Sequence, residues 1–208
     1  MRFENRTDAG KKLAEKLQDY KGEDVIVLAL PRGGVVLGYE IAKNLGAPLD
    51  LIITRKIGHP DNPEYAICAV AEDGHTLCNE VERSNINDEW FDKVVVEEQE
   101  EAKRRRKLYL KGKRKNIKGK TVIIVDDGIA TGLTLRLAIM EAKHSNPKKI
   151  IVAVPVAPKD VAGEIEKSVD GFIALQIPEV YLGAVGAYYD SFEQVTDEEV
   201  IGLLDGLS

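Results

Sequence analysis

The chain has little with which to build a metal centre or a disulfide framework. It holds two cysteines and three histidines. Cys68 and Cys78 lack metal-ligand spacing, and His59, His75 and His144 lie far apart in sequence. No zinc site is suggested, and a reducing, cytoplasmic location is the expectation. An excess of positive charge is missing too. Lys and Arg number 29 against 35 Asp and Glu, a formal net charge of −6. That argues against general nucleic-acid binding but leaves room for a local basic pocket. No apolar run reaches the length of a membrane span, and Met1-Arg2-Phe3-Glu4-Asn5-Arg6 does not read as a signal peptide. Repeats and low-complexity segments are also lacking. What remains is a 208-residue chain of ordinary globular composition, 44% hydrophobic and 31% charged, long enough for one large domain.

The most informative stretch is Val122–Thr134, Val-Ile-Ile-Val-Asp-Asp-Gly-Ile-Ala-Thr-Gly-Leu-Thr. The β-branched run Thr121–Val125 follows Gly119-Lys120 and reads as a buried parallel strand. From Leu133 onward, Leu133, Leu137 and Met140 fall at helical spacing. A strand–loop–helix unit of this kind aims unpaired backbone N–H groups at its loop, where a phosphate can sit. Asp126 and Asp127 are acceptor-only when ionised and suit the hydroxyls of a sugar. An ordinary acidic turn would look similar as far as Gly128, but the closing Thr131-Gly132-Leu133-Thr134 is more particular. It fits neither the P-loop nor the dinucleotide pattern.

Around this stretch the chain alternates strands and helices. Thr7 or Asp8 can cap a first helix that buries Ala9, Leu13, Ala14 and Leu17 and ends near Lys21-Gly22. Val25–Leu30 reads as a central strand, followed by Pro31-Arg32-Gly33-Gly34, where glycines admit a ligand and Arg32 offers a fork of donors. A helix from Val35 to Leu45 closes at Gly46. Leu49–Thr54 reads as the next strand, with Arg55 and Lys56 at its carboxyl edge, where α/β sheets bind ligands. Ala66–Ala71 and Thr76–Asn79 form a hairpin on Asp73-Gly74. A two-residue turn would put Cys68 and Cys78 on opposite faces. A three-residue turn would put them face to face. Asn87 to Leu110 reads as one long helix, with Glu100 and Glu101 four residues before Arg104 and Arg105 as solvated pairs. The basic connector Lys111–Lys120 is expected to be solvated. Further strands are expected at Lys149–Val154 and Gly171–Leu175, with a helix around Val161–Lys167 between them. In the tail, Tyr181, Tyr188, Tyr189 and Phe192 can either stack on a planar ring or pack at a core edge. Thr196–Glu199 reads as a capping box. This order implies an α/β fold with a parallel, flavodoxin-like sheet.

Four apolar residues, two acids, three variable residues and Thr-Gly-x-Thr resemble the signature of the type I phosphoribosyltransferases, which use phosphoribosyl pyrophosphate (PRPP). The resemblance extends from about Val25 to Leu175. It looks nearest to the uncharacterised members with an Arg-Lys-x-Gly…Asn-Pro-Glu flap and a Tyr-rich C-terminal tail. It implies a single phosphoribosyltransferase domain over residues 1–208, with a flap at about 57–80 and a hood at about 176–195. The implied reaction replaces the pyrophosphate of PRPP by a nitrogen nucleophile, with a nucleobase as the expected acceptor. Asp126 and Asp127 would hold the ribose and offset positive charge at C1. Ala130, Thr131, Gly132, Leu133 and Thr134 would hold the 5′-phosphate. Arg32, Gly33, Gly34, Arg55 and Lys56 would take the pyrophosphate, and a non-proline cis bond is expected between Pro31 and Arg32. Mg²⁺ would arrive with PRPP, with no direct protein ligand required. Tyr181, Tyr188 and Tyr189 would form the acceptor hood. A homodimer is expected.

One position departs from the 6-oxopurine enzymes, which carry an Asp before the Thr-Gly of the signature. Here it is Ala130. Ala71-Glu72-Asp73-Gly74 resembles the flap of the adenine enzymes, which nominates Glu72 as proton acceptor, although a glutamate at a hairpin tip can simply be solvated. Two other classes compete. A non-catalytic PRPP-binding regulator usually adds a DNA- or RNA-binding module, and about 24 residues precede the first strand. PRPP synthesis needs two stacked halves and an ATP site.

Overall fold

The computed structural model describes residues 2–207. Helix α1 (Arg6–Lys16) is capped by Asn5, whose side chain accepts from the Asp8 N–H, and not by Thr7 or Asp8. A short 3₁₀ turn, Gln18–Tyr20, leads to strand β1 (Val25–Ala29), followed by helix α2 (Gly33–Leu45) and strand β2 (Leu49–Leu51). The flap follows as β3 (Thr54–His59), β4 (Asn62–Ala71) and β5 (Thr76–Cys78). Helix α3 (Glu80–Arg83), absent from the sequence expectation, precedes α4 (Asp88–Leu110). The second half runs β6 (Thr121–Val125), α5 (Leu133–His144), β7 (Lys149–Val156), α6 (Lys159–Glu166), β8 (Gly171–Gln176) and α7 (Asp197–Asp205).

Five parallel strands form the main sheet in the order β2-β1-β6-β7-β8. That is the expected flavodoxin-like arrangement. Its cause is visible in β1 and β6, which are buried throughout and apolar at every position but Thr121. Val25, Val27, Ala29, Ile123 and Val125 face a layer built by α1, α2 and α7. Ile26, Leu28, Val122 and Ile124 face the layer of α5 and α6. A strand covered on both faces needs no polar alternation, so a continuous apolar run marks the centre of a parallel sheet.

The expected strand Leu49–Thr54 divides in two. Only Leu49–Leu51 pairs with β1, and from Thr54 the chain joins a separate antiparallel sheet, β3-β4-β5. The stretch Gly58–Pro63 forms the β3–β4 turn, with His59 opposite Asn62. The β4–β5 connection uses three residues, since the Ala71 N–H donates to the His75 carbonyl. That register sets Cys68 opposite Cys78, and the two form a disulfide. Of the two turn lengths the sequence allowed, the three-residue one forms.

Candidate functional site

The order of the sheet creates a place where connections diverge. Chain leaving β1 and chain leaving β6 emerge side by side at the carboxyl edge, and this is where open α/β sheets bind ligands. The two loops are in direct contact. A Cβ added to Gly33 would clash with Asp127 Oδ2 and lie 2.6 Å from its Cγ, and one added to Gly34 would lie 2.8 Å from the Val125 carbonyl oxygen. Pro31-Arg32 is a non-proline cis peptide, as expected.

Helix capping separates this edge from the rest of the molecule. Helices α1, α3, α4 and α7 begin with side-chain caps from Asn5, Asn79, Asn87 and Thr196. Helices α2, α5 and α6, which follow strands of the main sheet, begin with none. Unsatisfied N–H groups and the helix dipole together favour an anion at such ends. At α5 the preceding residue is Gly132, at φ 77°, a left-handed conformation in which a Cβ would also meet Val161 at 2.7 Å. The first backbone bond of the helix runs from the Arg136 N–H to the Gly132 carbonyl, so the N–H groups of Leu133, Thr134 and Leu135 precede it. Ala130 and Thr131 are exposed at the mouth of this loop.

The two aspartates have different surroundings. Asp126 accepts from the Asp127 N–H at 2.8 Å through its Oδ1. Burial, and then the charge of Asp127, pushes its carboxyl well above the usual range. Burial also raises Asp127, against the opposing pull of Arg6, whose Nε donates to Asp127 Oδ2 at 2.8 Å. Arg6 is itself held by the Glu193 carbonyl at 2.6 Å and lies 3.7 Å over the Phe192 ring. The Tyr189 hydroxyl donates to the Asp127 carbonyl at 2.6 Å. Nothing in the sequence marks Arg6, at the first position of α1, as a neighbour of a carboxylate 121 residues away.

Several residues nominated from the sequence lie elsewhere or are already engaged. Arg32 reaches Asp197 of α7 at 3.5 Å, and Asp197 also takes Tyr109 and Arg104. Arg55 and Lys56 sit on the flap strand β3 and not at the end of a parallel strand. They pair with Glu98 at 2.7 Å and Glu64 at 2.8 Å. Tyr188 and Tyr189 are buried, so neither offers a free ring face. Tyr188 stacks on Tyr181 at 5.5 Å and accepts from the Leu182 N–H. Tyr181 remains partly exposed, with its hydroxyl oxygen buried and unpartnered among the described residues. Burial, Tyr188 and Asp127 push that phenol up to about 12.

Glu72 needs the largest correction. The turn that carries it does not overhang the carboxyl edge. Glu72 is 9% exposed and packs beneath α4, where Arg106 donates to both of its oxygens at 3.2 Å through Nε and to Oε1 at 3.1 Å through Nη2. Arg114 also pairs with it. Arg106 bridges onward to Asp50 at 3.0 Å and the Leu51 carbonyl at 2.7 Å, on edge strand β2. Both oxygens of Glu72 are taken up by guanidinium groups, and its partners are not those of Asp126 and Asp127. Arg106, which directly follows the expected solvated pairs of α4, is buried. Of the expected pairs, Glu101–Arg105 forms, whereas Arg104 also takes Glu101 and Glu100 takes Lys103.

Residues 3–191 match the phosphoribosyl transferase domain family. The chain belongs to that family. Two curated relatives, each named "Putative phosphoribosyl transferase", come from the CDC 1551 and H37Rv strains of Mycobacterium tuberculosis. Each is 38% identical over 206 residues, covering 98% of this chain and 46% of the relative. The chain thus spans about half the length of the curated relatives it matches. The crystal structure of TT1426 from Thermus thermophilus superposes with a TM-score of 0.81 at 35% identity over 100% of both chains. AQ2163 from Aquifex aeolicus, at 14% identity and a TM-score of 0.50 over 81% of this chain and 72% of that one, shares the fold. In this phosphoribosyl transferase family member, Val122–Thr134 occupies the sheet's divergence point. No helix among the described residues is long and apolar enough to cross a membrane.

Proposed function

We propose that the chain transfers the 5-phosphoribosyl group of PRPP to a nitrogen acceptor, a nucleobase, and releases pyrophosphate. The observation that carries the reading is the contact between the Pro31–Gly34 loop and Asp127 at the carboxyl ends of β1 and β6, where Gly33 leaves no room for a Cβ. A phosphorylated sugar bridging two neighbouring uncapped helix starts would put its phosphate on α5 and its pyrophosphate on α2.

In this reading the Thr131 and Thr134 hydroxyls and the backbone amides from Ala130 to Thr134 hold the 5′-phosphate. Asp126 and Asp127 accept from the ribose hydroxyls and stabilise positive charge as the bond at C1 lengthens. Arg32, Gly33 and Gly34 face the pyrophosphate, and Arg32 exchanges Asp197 for it. Arg55 and Lys56 join only when the β3–β4 turn folds inward, leaving Glu98 and Glu64. Tyr181 is the hood residue with an unassigned hydroxyl. The paired carboxylates suit a hard cation, since both are half-buried and the charge of Asp127 opposes ionisation of Asp126. Mg²⁺ carried by PRPP would supply charge neutralisation to Asp126 and Asp127, of which Asp127 is the one in an ion pair, with Arg6.

Pyrophosphate release from Mg-PRPP, measured with a pool of bases, tests the reaction. Release that requires one base supports transfer and identifies the acceptor. Tight PRPP binding without turnover for any base would replace transfer by a sensing role.

A further inference from the structure

The three-residue turn at the β4–β5 tip does more than pair the cysteines. It swings Asp73 and His75 onto the last turn of α5. There His75 Nδ1 lies 2.8 Å from Glu141 Oε1, and His144 Nδ1 lies 3.8 Å from the same oxygen. The ligating atoms of His75, Glu141 and His144 all fall within 4.8 Å of one another. Asp73 Oδ2 stands 3.2 Å from His75 Nδ1.

We propose that His75, Glu141, His144 and Asp73 form a structural zinc site. The donor set is two imidazoles and two carboxylates, which suits Zn²⁺ among the common divalent ions. With metal–ligand bonds of ~2.0–2.1 Å, tetrahedral ligands sit about 3.3 Å apart. Three of the contacts, at 2.8, 3.8 and 3.2 Å, bracket that spacing, and no pair among His75, Glu141 and His144 is wider than 4.8 Å. Glu141 and His144 are three residues apart on one helix, a spacing that presents both side chains on one face. Two carboxylates with two neutral imidazoles carry two negative charges, which a divalent cation cancels. The site also lies at the carboxyl end of α5, the end that favours a cation.

The metal would have no part in phosphoribosyl transfer. Leu133 and His144 stand at opposite ends of α5, roughly 16 Å apart along the helix. Its effect would be to fasten the hairpin tip, which has no other covalent tie to α5, against that helix. The sequence concealed the site because His75 lies 66 residues before Glu141 and no short motif joins them.

Chelator-treated full chain titrated with Zn²⁺ by calorimetry, and with Co²⁺ followed by visible absorption, tests the proposal. One Zn²⁺ per chain in the micromolar range or tighter is expected, with the absorption of tetrahedral Co²⁺ and a rise in melting temperature on adding Zn²⁺. His144→Ala and His75→Ala, both at exposed positions, should fold normally and weaken binding by more than about tenfold, whereas His59→Ala should not. Absence of saturable binding, or equal binding in the two site variants, overturns the proposal. The cluster is then an imidazolium held between carboxylates.

Discussion

Replacing Arg6 by Ala probes the part of the site furthest from any motif. Three interactions go at once: the 2.8 Å ion pair with Asp127, the 2.6 Å bond to the Glu193 carbonyl and the stacking on Phe192 at 3.7 Å. The Arg6 and Asp127 side chains are only 12% and 17% exposed, so solvent replaces little of what is lost. Breaking a buried pair from one side costs ~3–5 kcal/mol. Asp127 limits this by taking up a proton, because burial already raises its carboxyl. We expect a loss of about 2–4 kcal/mol at neutral pH. The pH dependence has a definite sign. Without Arg6 the folded-state pKa of Asp127 rises further above its unfolded value. Stability from such a carboxyl is present in acid and lost as pH rises through the folded pKa, so the deficit grows from acid towards neutral pH. Urea unfolding across that range measures it. In an Asp127→Asn background, Arg6→Ala should cost less by about 1–3 kcal/mol. A cost below about 1 kcal/mol at neutral pH, or no coupling to Asp127, would refute the pairing as an element of the site.

Other substitutions separate stability from function. Asp126→Asn keeps the acceptor for the Asp127 N–H and removes an ionised group that burial and Asp127 disfavour. It should raise the melting temperature at neutral pH, lose that gain in acid, and abolish turnover. Asp197→Asn should release Arg32 and tighten PRPP binding by about twofold to fivefold, the worth of a partly exposed pair, as read by calorimetry. Arg106→Ala leaves Glu72 and Asp50 without their shared partner and should cost about 3–5 kcal/mol in urea, while Glu72→Gln should leave kcat unchanged.

The legible parts of the molecule were those set by local chemistry. Val25–Ala29 and Thr121–Val125 announce a buried parallel strand because no residue in them is polar enough to face water, apart from Thr121 at one end. The capping box of Thr196 and Glu199 forms as read. Val122–Thr134 showed its strand, its loop and its helix start because each depends on neighbours in the chain. What stayed hidden depends on distant pairing. Arg55 and Lys56 were assigned to a strand edge because nothing in Leu49–Thr54 signals that pairing with β1 stops at Leu51. Glu72 looked solvated or catalytic because its partners, Arg106 and Arg114, come from another part of the chain. Tyr188 and Tyr189 read equally well as a hood or a core, and packing against Tyr181 and Phe3 decided for the core.

Calorimetric titration with Mg-PRPP of the unaltered chain and of Gly33→Ala tests the central claim most directly. The added Cβ would clash with Asp127 Oδ2 and lie 2.6 Å from its Cγ, so the Pro31–Gly34 loop and Asp127 must part. One saturable site in the unaltered chain, lost or weakened by at least about tenfold in a folded Gly33→Ala variant, is the predicted result. No PRPP binding by the unaltered chain, or equal affinity in the variant, would contradict it.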